Sequence, residues 1–183
     1  MNLGIRLAGI GSQGMVSSSV VLAQALGVLK DYEVVQTQEY YAAITGGSAL
    51  GDVMVSDEKI VMPWVFEPDI LVAMAQDAVV QHAAAMRPGT RVVADDLMVT
   101  DVSAFGPGVS VHRAPMVRLA DQAGSRRCAN IVALGVFARF TGLLTFDEIG
   151  RAVAERAPGR PEVNQRALRL GWDATLEQVT RGG

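Results

Sequence analysis

The sequence predicts one α/β domain with a mixed, mostly parallel sheet and a helical C-terminal part, and three observations carry that reading. The first 38 residues run strand, glycine loop, helix, strand. Half of the 183 residues are hydrophobic but only 5% are aromatic and 19% charged, which suits a core filled by Ala, Val and Leu. Beyond about residue 116 the pattern becomes mostly helical. A chain of this length buries a substantial core as a single domain spanning 1–183.

LGIRLAG (3–9) reads as a buried strand that runs into the glycine loop GIGSQG (9–14). Residues 15–29 are apolar over four helical turns, and the β-branched YEVVQTQ (32–38) reads as a second strand. This order favours a parallel first pair joined by a right-handed crossover. After Gly46-Gly47, the alternation of Leu50, Val53 and Val55 predicts a strand. Asp57-Glu58 reads as a tight hairpin turn, which makes this part of the sheet antiparallel. PDILVA (68–73) gives a short apolar strand, then a helix through about Met86 that Pro88-Gly89 stops. RVVADD (91–96) and VSVHRAP (109–115) are further strands. Helices are expected over roughly 116–124, 129–141, 145–157 and 161–179, with a fraying tail at 181–183. Thr145 and Glu148 stand at capping-box spacing, and Pro161 suits a first helical turn.

Composition excludes several classes of function. A net charge of −3 with no basic block argues against a nucleic-acid partner. The single cysteine, Cys128, rules out an internal disulfide framework and a self-contained cysteine-ligated cluster or zinc site. No apolar run reaches the length of a membrane span, and the N-terminus meets Gly4 too early for a signal peptide, so a cytoplasmic location is expected. His82 and His112 lack an identifiable partner, so no catalytic residue is assigned, and no metal site either. Asp52 and Asp57 fall on opposite strand faces, Asp95-Asp96 read as a solvated strand-end turn, and Cys128 beside Arg126-Arg127 as an inert thiol. MPWVF (62–66) and TGLLTF (141–146) are core, or contact with a larger subunit.

The glycine loop is the main functional signal. Glycines allow close backbone approach, and the following helix presents free N–H groups and the positive end of its dipole, which together suit an anion. A dinucleotide site also needs an acid at the end of the second strand, and that strand ends in Gln36-Thr37-Gln38, with Glu39 the first acid. A phosphate site, a dinucleotide site and a purely structural turn all remain open on these residues alone.

Taken together, GIGSQG (9–14), the T-GG-S-A block with its D-V-x-V-S-D-E continuation (45–58), EPDILVAMAQDA (67–78), RPGTRVVADDLMV (87–99), ANIVALG (129–135) and PEVNQRALRLGWD (161–173) form an ordered set. In that order and spacing the chain resembles the gamma subunit, or gamma domain, of the 2-oxoacid:ferredoxin oxidoreductases. The resemblance implies a three-layer α/β/α domain. It implies a complex that decarboxylates a 2-oxoacid oxidatively to acyl-CoA, with thiamine diphosphate and [4Fe–4S] clusters held by alpha, beta and ferredoxin-like delta-type partner subunits. No cofactor would be held by this chain alone. It would close the active-site region and bind coenzyme A, through Gly11, Ser12, Gln13, Gly14, Ser17 and Ser18 together with Thr45, Gly46 and Gly47. Three positions depart from the pattern: Ser12 replaces a common second glycine, Thr45 a common arginine, and apolar Val20 lies near a lysine of single-chain pyruvate enzymes. A stand-alone NAD(P)-binding Rossmann module and a non-catalytic scaffold are the alternatives.

Overall fold

The computed structural model describes residues 1–41 and 47–179. The strands are β1 (Asn2–Ile10), β2 (Glu33–Tyr40), β3 (Ser48–Ser56), β4 (Ile70–Ala73), β5 (Arg91–Asp95), β6 (Ser110–Ala114) and β7 (Glu177–Gln178). The helices are α1 (Met15–Gln24), α2 (Gln76–His82), α3 (Met116–Ala123), α4 (Ala129–Thr141), α5 (Phe146–Arg156) and α6 (Pro161–Trp172). The strands form one sheet in the order β2-β3-β1-β4-β5-β6-β7. β3 and β7 run against the direction shared by the others, so the sheet is mixed and mostly parallel.

The expected β1–β2 pair does not form. The two strands are parallel in direction, but β3 lies between them and pairs antiparallel with both, from Asn2↔Ser56 to Ile10↔Ser48 and from Glu33↔Ser56 to Tyr40↔Ala49. Burial decides the order. β3 is buried along its length except at Met54, whereas β2 carries Glu33, Gln36, Gln38 and Glu39 and is at most half-buried, which suits an edge. Asp57-Glu58 does not turn a hairpin either, since the next strand, β4, pairs with β1 and β5 rather than with β3. Asp57 instead pairs with the N-terminal ammonium at 2.5 Å, and the chain leaves on a long excursion to β4.

Alternation along the strands sorts the core into two layers. Ile5, Leu7, Val53, Val55, Ile70, Val72 and Val93 face one side, where α1, α3, α4, α5 and α6 pack. Ala8, Leu50, Leu71, Ala73, Val92, Ala94 and Val111 face the other, covered by α2 and the segment containing Val99, Val102 and Phe105. The three layers are therefore unequal, with five helices on one side among the described residues and one on the other. The capping box at α5 is present, Thr145 accepting from the Glu148 N–H and the Glu148 carboxylate from that of Thr145. α6 ends at Trp172 rather than near 179, because Glu177 and Gln178 pair with Arg113 and His112 on the β6 edge. Within TGLLTF, Leu144 is buried and Leu143 and Phe146 pack against the core. MPWVF behaves differently: Val65 is buried while Met62, Trp64 and Phe66 are exposed.

Candidate functional site

The glycine loop lies at the carboxyl end of β1. Gln13 organises it: the Ile10 N–H donates to Gln13 Oε1 at 2.9 Å, and Gln13 Nε2 donates to the Met74 carbonyl at 2.7 Å. β1 leads to α1 on one face and β4 to α2 on the other, so the crevice between these strand ends is the point where open α/β sheets place ligands. Here the Gln13 carboxamide bridges that crevice. Gly9 makes room for it, because a Cβ there would lie 2.4 Å from Gln13 Oε1. Gly14 has φ +70 and starts α1 with no side-chain cap, and a Cβ there would stand 3.0 Å from Asn130 Nδ2.

Of the remaining candidates, Gly47 is brought against the loop, its carbonyl accepting the Gly11 N–H at 2.8 Å. Ser12 and Ser17 are exposed beside the loop. Ser18 is buried, its hydroxyl 3.4 Å from the Asn130 carbonyl, so it contributes to the α1–α4 contact rather than to an open face. Thr45 and Gly46, like the tail at 181–183, lie outside the described residues.

Beside the loop is a cavity of about 330 Å³, lined by Ile10, Ser12, Gln13, Met98, Val117, Arg126, Arg127 and Ala129. Three helices begin around it. The α3 terminus is neutralised internally, since the Val117 N–H donates to Asp95 Oδ2 at 2.8 Å. α1 starts at Gly14 with no side-chain cap, which leaves its dipole end available to an anion, whereas α4 continues the turn Arg126–Cys128 and its Ala129 N–H is taken by the Arg126 carbonyl. Arg126 is held only loosely, at 3.7 Å from Asp121, and Arg127 makes no ion pair among the described residues. Both guanidinium groups come from the short turn before α4. The sequence reading treats this doublet only as neighbours of Cys128.

Asp95 is fully buried, contrary to the expected solvated turn. Its Oδ1 accepts the Leu97 and Met98 N–H groups at 3.0 and 2.8 Å, and its Oδ2 caps α3. Asp95→Ala would leave three donors without an acceptor, two of them shaping the wall that presents Met98 to the cavity. We expect a loss of about 3 kcal/mol in urea unfolding, with Asp95→Asn recovering part of it. Equal stability of the alanine variant would show that water replaces the carboxylate. Asp96 forms an ion pair with Arg118. Cys128 is buried and donates toward Asn164 Oδ1 at 3.4 Å, while Asn164 Nδ2 donates to the Ala157 carbonyl at 2.7 Å, so the thiol is a packing group.

Neither histidine reaches this cavity. Burial and the nearby Arg6 push His82 down to about 4. Burial, then Arg91, lowers His112, whose ring lies 4.9 Å from that of Phe140. Sequence reasoning did not find the pair beside His82: Arg6 and Asp52, direct cross-strand neighbours, form a two-pronged ion pair at 2.8 and 2.7 Å. Among the described residues no group of three or more His, Cys, Asp or Glu is placed to hold a metal ion, and no helix is long and apolar enough to cross a membrane. The strand order also removes the dinucleotide alternative. An acid at the end of β2 is two strand spacings from β1, about 10 Å, rather than beside it.

Comparison with known proteins bears on the family and the fold. The profile of the pyruvate ferredoxin/flavodoxin oxidoreductases matches residues 4–174. The 2-oxoglutarate synthase subunit KorC of Methanocaldococcus jannaschii is 32% identical over 175 residues, covering 94% of each chain. The keto/oxoacid ferredoxin oxidoreductase gamma subunit of Geobacter sulfurreducens superposes with a TM-score of 0.82 at 28% identity, covering 94% of this chain and 95% of that one. The 2-oxoglutarate:ferredoxin oxidoreductase of Magnetococcus marinus, solved with 2-oxoglutarate, coenzyme A and succinyl-CoA bound, superposes at 0.83 with 26% identity. That match covers 93% of this chain but 30% of the longer one.

Proposed function

Because the chain belongs to the pyruvate ferredoxin/flavodoxin oxidoreductase family, as a gamma-type subunit, we propose that it holds the phosphates of coenzyme A for a complex converting a 2-oxoacid to acyl-CoA. The observation that carries this reading is the cavity where the Gly11–Gly14 loop, at the start of α1, meets Arg126 and Arg127. Phosphate oxygens would accept from the α1 N–H groups and from the Ser12 and Ser17 hydroxyls, with the two guanidinium groups neutralising charge across the cavity. These arginines would supply positive charge in place of that which the family pattern has at Thr45 and near Val20.

The redox and decarboxylation chemistry belongs to partner chains in this reading. One buried cysteine does not suit a [4Fe–4S] cluster. Thiamine diphosphate and the clusters would sit in alpha, beta and delta-type subunits, in the cytoplasm. This chain contributes orientation and closure.

The test uses the assembled complex. Gly14→Asp puts a side chain into a left-handed position and a carboxylate where the anion sits. The apparent affinity for coenzyme A should fall about ten-fold, and Arg126→Ala with Arg127→Ala should lower it by a similar factor or more. Slow, oxoacid-dependent reduction of an artificial acceptor should persist without coenzyme A. An unchanged coenzyme A saturation curve in a variant that still assembles would leave the loop as a structural turn.

A further inference from the structure

The end of the sheet opposite the glycine loop carries an unusual apolar surface. Val61, Met62, Trp64 and Phe66 are 89%, 58%, 53% and 69% exposed within six consecutive residues. They flank two cavities of about 510 and 300 Å³ that share Asn2 and Met54, so the surface is continuous across the start of β1. This segment is held in place. Arg6 Nη2 donates to the Val65 carbonyl at 2.7 Å, and the Val65 side chain packs so tightly on Gly4 that a Cβ there would lie 2.8 Å from Val65 Cγ1. The exposed groups are thus presented by a fixed strap, which removes much of the ordering cost of an association.

Area and charge define what fits there. Large apolar side chains carry about 150–250 Å² each, so the exposed fractions of the four residues together offer on the order of 500 Å². That is close to the apolar share of one side of a standard interface, about 800 Å² in all. Asp57 and Asp69 nearby are engaged by the N-terminus and Arg87. Glu58 and Glu67 flanking the strap, and Glu33 opposite Ser56, form no ion pair among the described residues, so the rim is net acidic against the lone Lys59.

We propose that the strap Val61–Phe66 is the surface on which this chain docks a partner subunit presenting an apolar socket with a basic rim. The partner is the counterpart of the part of the longer Magnetococcus marinus polypeptide that this chain does not match. The proposal rests on the subunit reading above. The strap and the glycine loop lie at opposite ends of β1, about 30 Å apart for nine residues, so docking and anion binding separate experimentally.

The test co-produces this chain with the subunits of its complex. Trp64→Glu with Phe66→Glu should weaken assembly at least a hundred-fold by size exclusion and native mass spectrometry, while the melting temperature of the chain stays near that of the wild type. Val28→Glu, at an apolar residue 73% exposed elsewhere, should leave assembly unchanged. In an otherwise unaltered complex, a photocrosslinker (p-benzoylphenylalanine) at position 64 should join the chain to that partner. Crosslinking to a second copy or to another subunit, or full assembly of the double variant, would overturn the proposal. A wild-type chain that assembles with none of the subunits would instead overturn the subunit reading itself.

Discussion

Gly171→Ala is expected to destabilise the chain by roughly 3 kcal/mol, and Gly171→Val to prevent folding at 37 °C. A Cβ on Gly171 would stand 2.1 Å from the Val132 carbonyl oxygen and 2.9 Å from its carbon. A Cβ on Gly135 would stand 2.4 Å from the Leu168 oxygen. α4 and α6 therefore cross backbone to backbone, each glycine against a carbonyl of the other helix, and neither contact is with a side chain that can rotate away. Helix propensity alone predicts the opposite sign, since alanine is favoured over glycine by about 1 kcal/mol in a helix interior. Gly150 provides the control: its Cβ would meet only Leu168 Cδ2 at an ordinary 3.8 Å, so Gly150→Ala should be neutral or stabilising. The effect reaches the site, because α4 begins beside Arg126 and Arg127, and a displaced α4 would open the cavity wall at Ala129. Urea unfolding of the two alanine variants decides the matter. A Gly171→Ala chain at least as stable as the wild type would mean that the helices separate without cost.

Both of these glycines stand in segments that the sequence marks out, ANIVALG (129–135) and PEVNQRALRLGWD (161–173), yet nothing local tells why glycine is needed. What was legible follows one-dimensional rules. A short apolar run placed β5, period-two alternation placed β6, the capping box placed α5, and Pro161 placed the start of α6. What was not legible depends on pairing at a distance. The order β2-β3-β1 requires comparing how well whole strands tolerate burial, and the β–loop–α–β pattern pointed to a direct β1–β2 pair. The loop was visible through its glycines, but its bridging role rests on the Met74 carbonyl, 61 positions from Gln13. Arg126 and Arg127 come to the cavity because α3 and the following turn fold over the ends of β1 and β5. Asp95 looked solvated because strand-end acids usually are, while here three backbone N–H groups converge on it.

Arg6→Met is expected to cost about 3–5 kcal/mol at pH 7, and the double variant Arg6→Met with Asp52→Leu to regain most of that loss. In the single variant Asp52, 4% exposed, keeps its charge without a counter-ion, and the Val65 carbonyl loses its donor. The acidity of the cluster supplies a second readout. Burial already raises Asp52 above the usual carboxylate range, with Glu39 on β2 adding to it, and only Arg6 pulls it down. Without Arg6 it rises further, so the folded state binds a proton more readily than the unfolded chain, and acidification favours folding through this group. His82 on α2 acts in the opposite sense. Its folded value of about 4 lies below the ordinary 6.5, so the wild type loses stability as pH falls through that window. Removing the Arg6 charge also relieves part of that depression. Both changes narrow the gap between wild type and Arg6→Met as pH falls from 7 to 5. Denaturant midpoints at the two pH values measure it, and a gap that stays constant or widens would show that Asp52 is not left as a buried charge. The same variant should loosen the strap at Val65, so in the complex its loss of assembly at pH 7 should exceed that of a surface substitution with equal effect on melting.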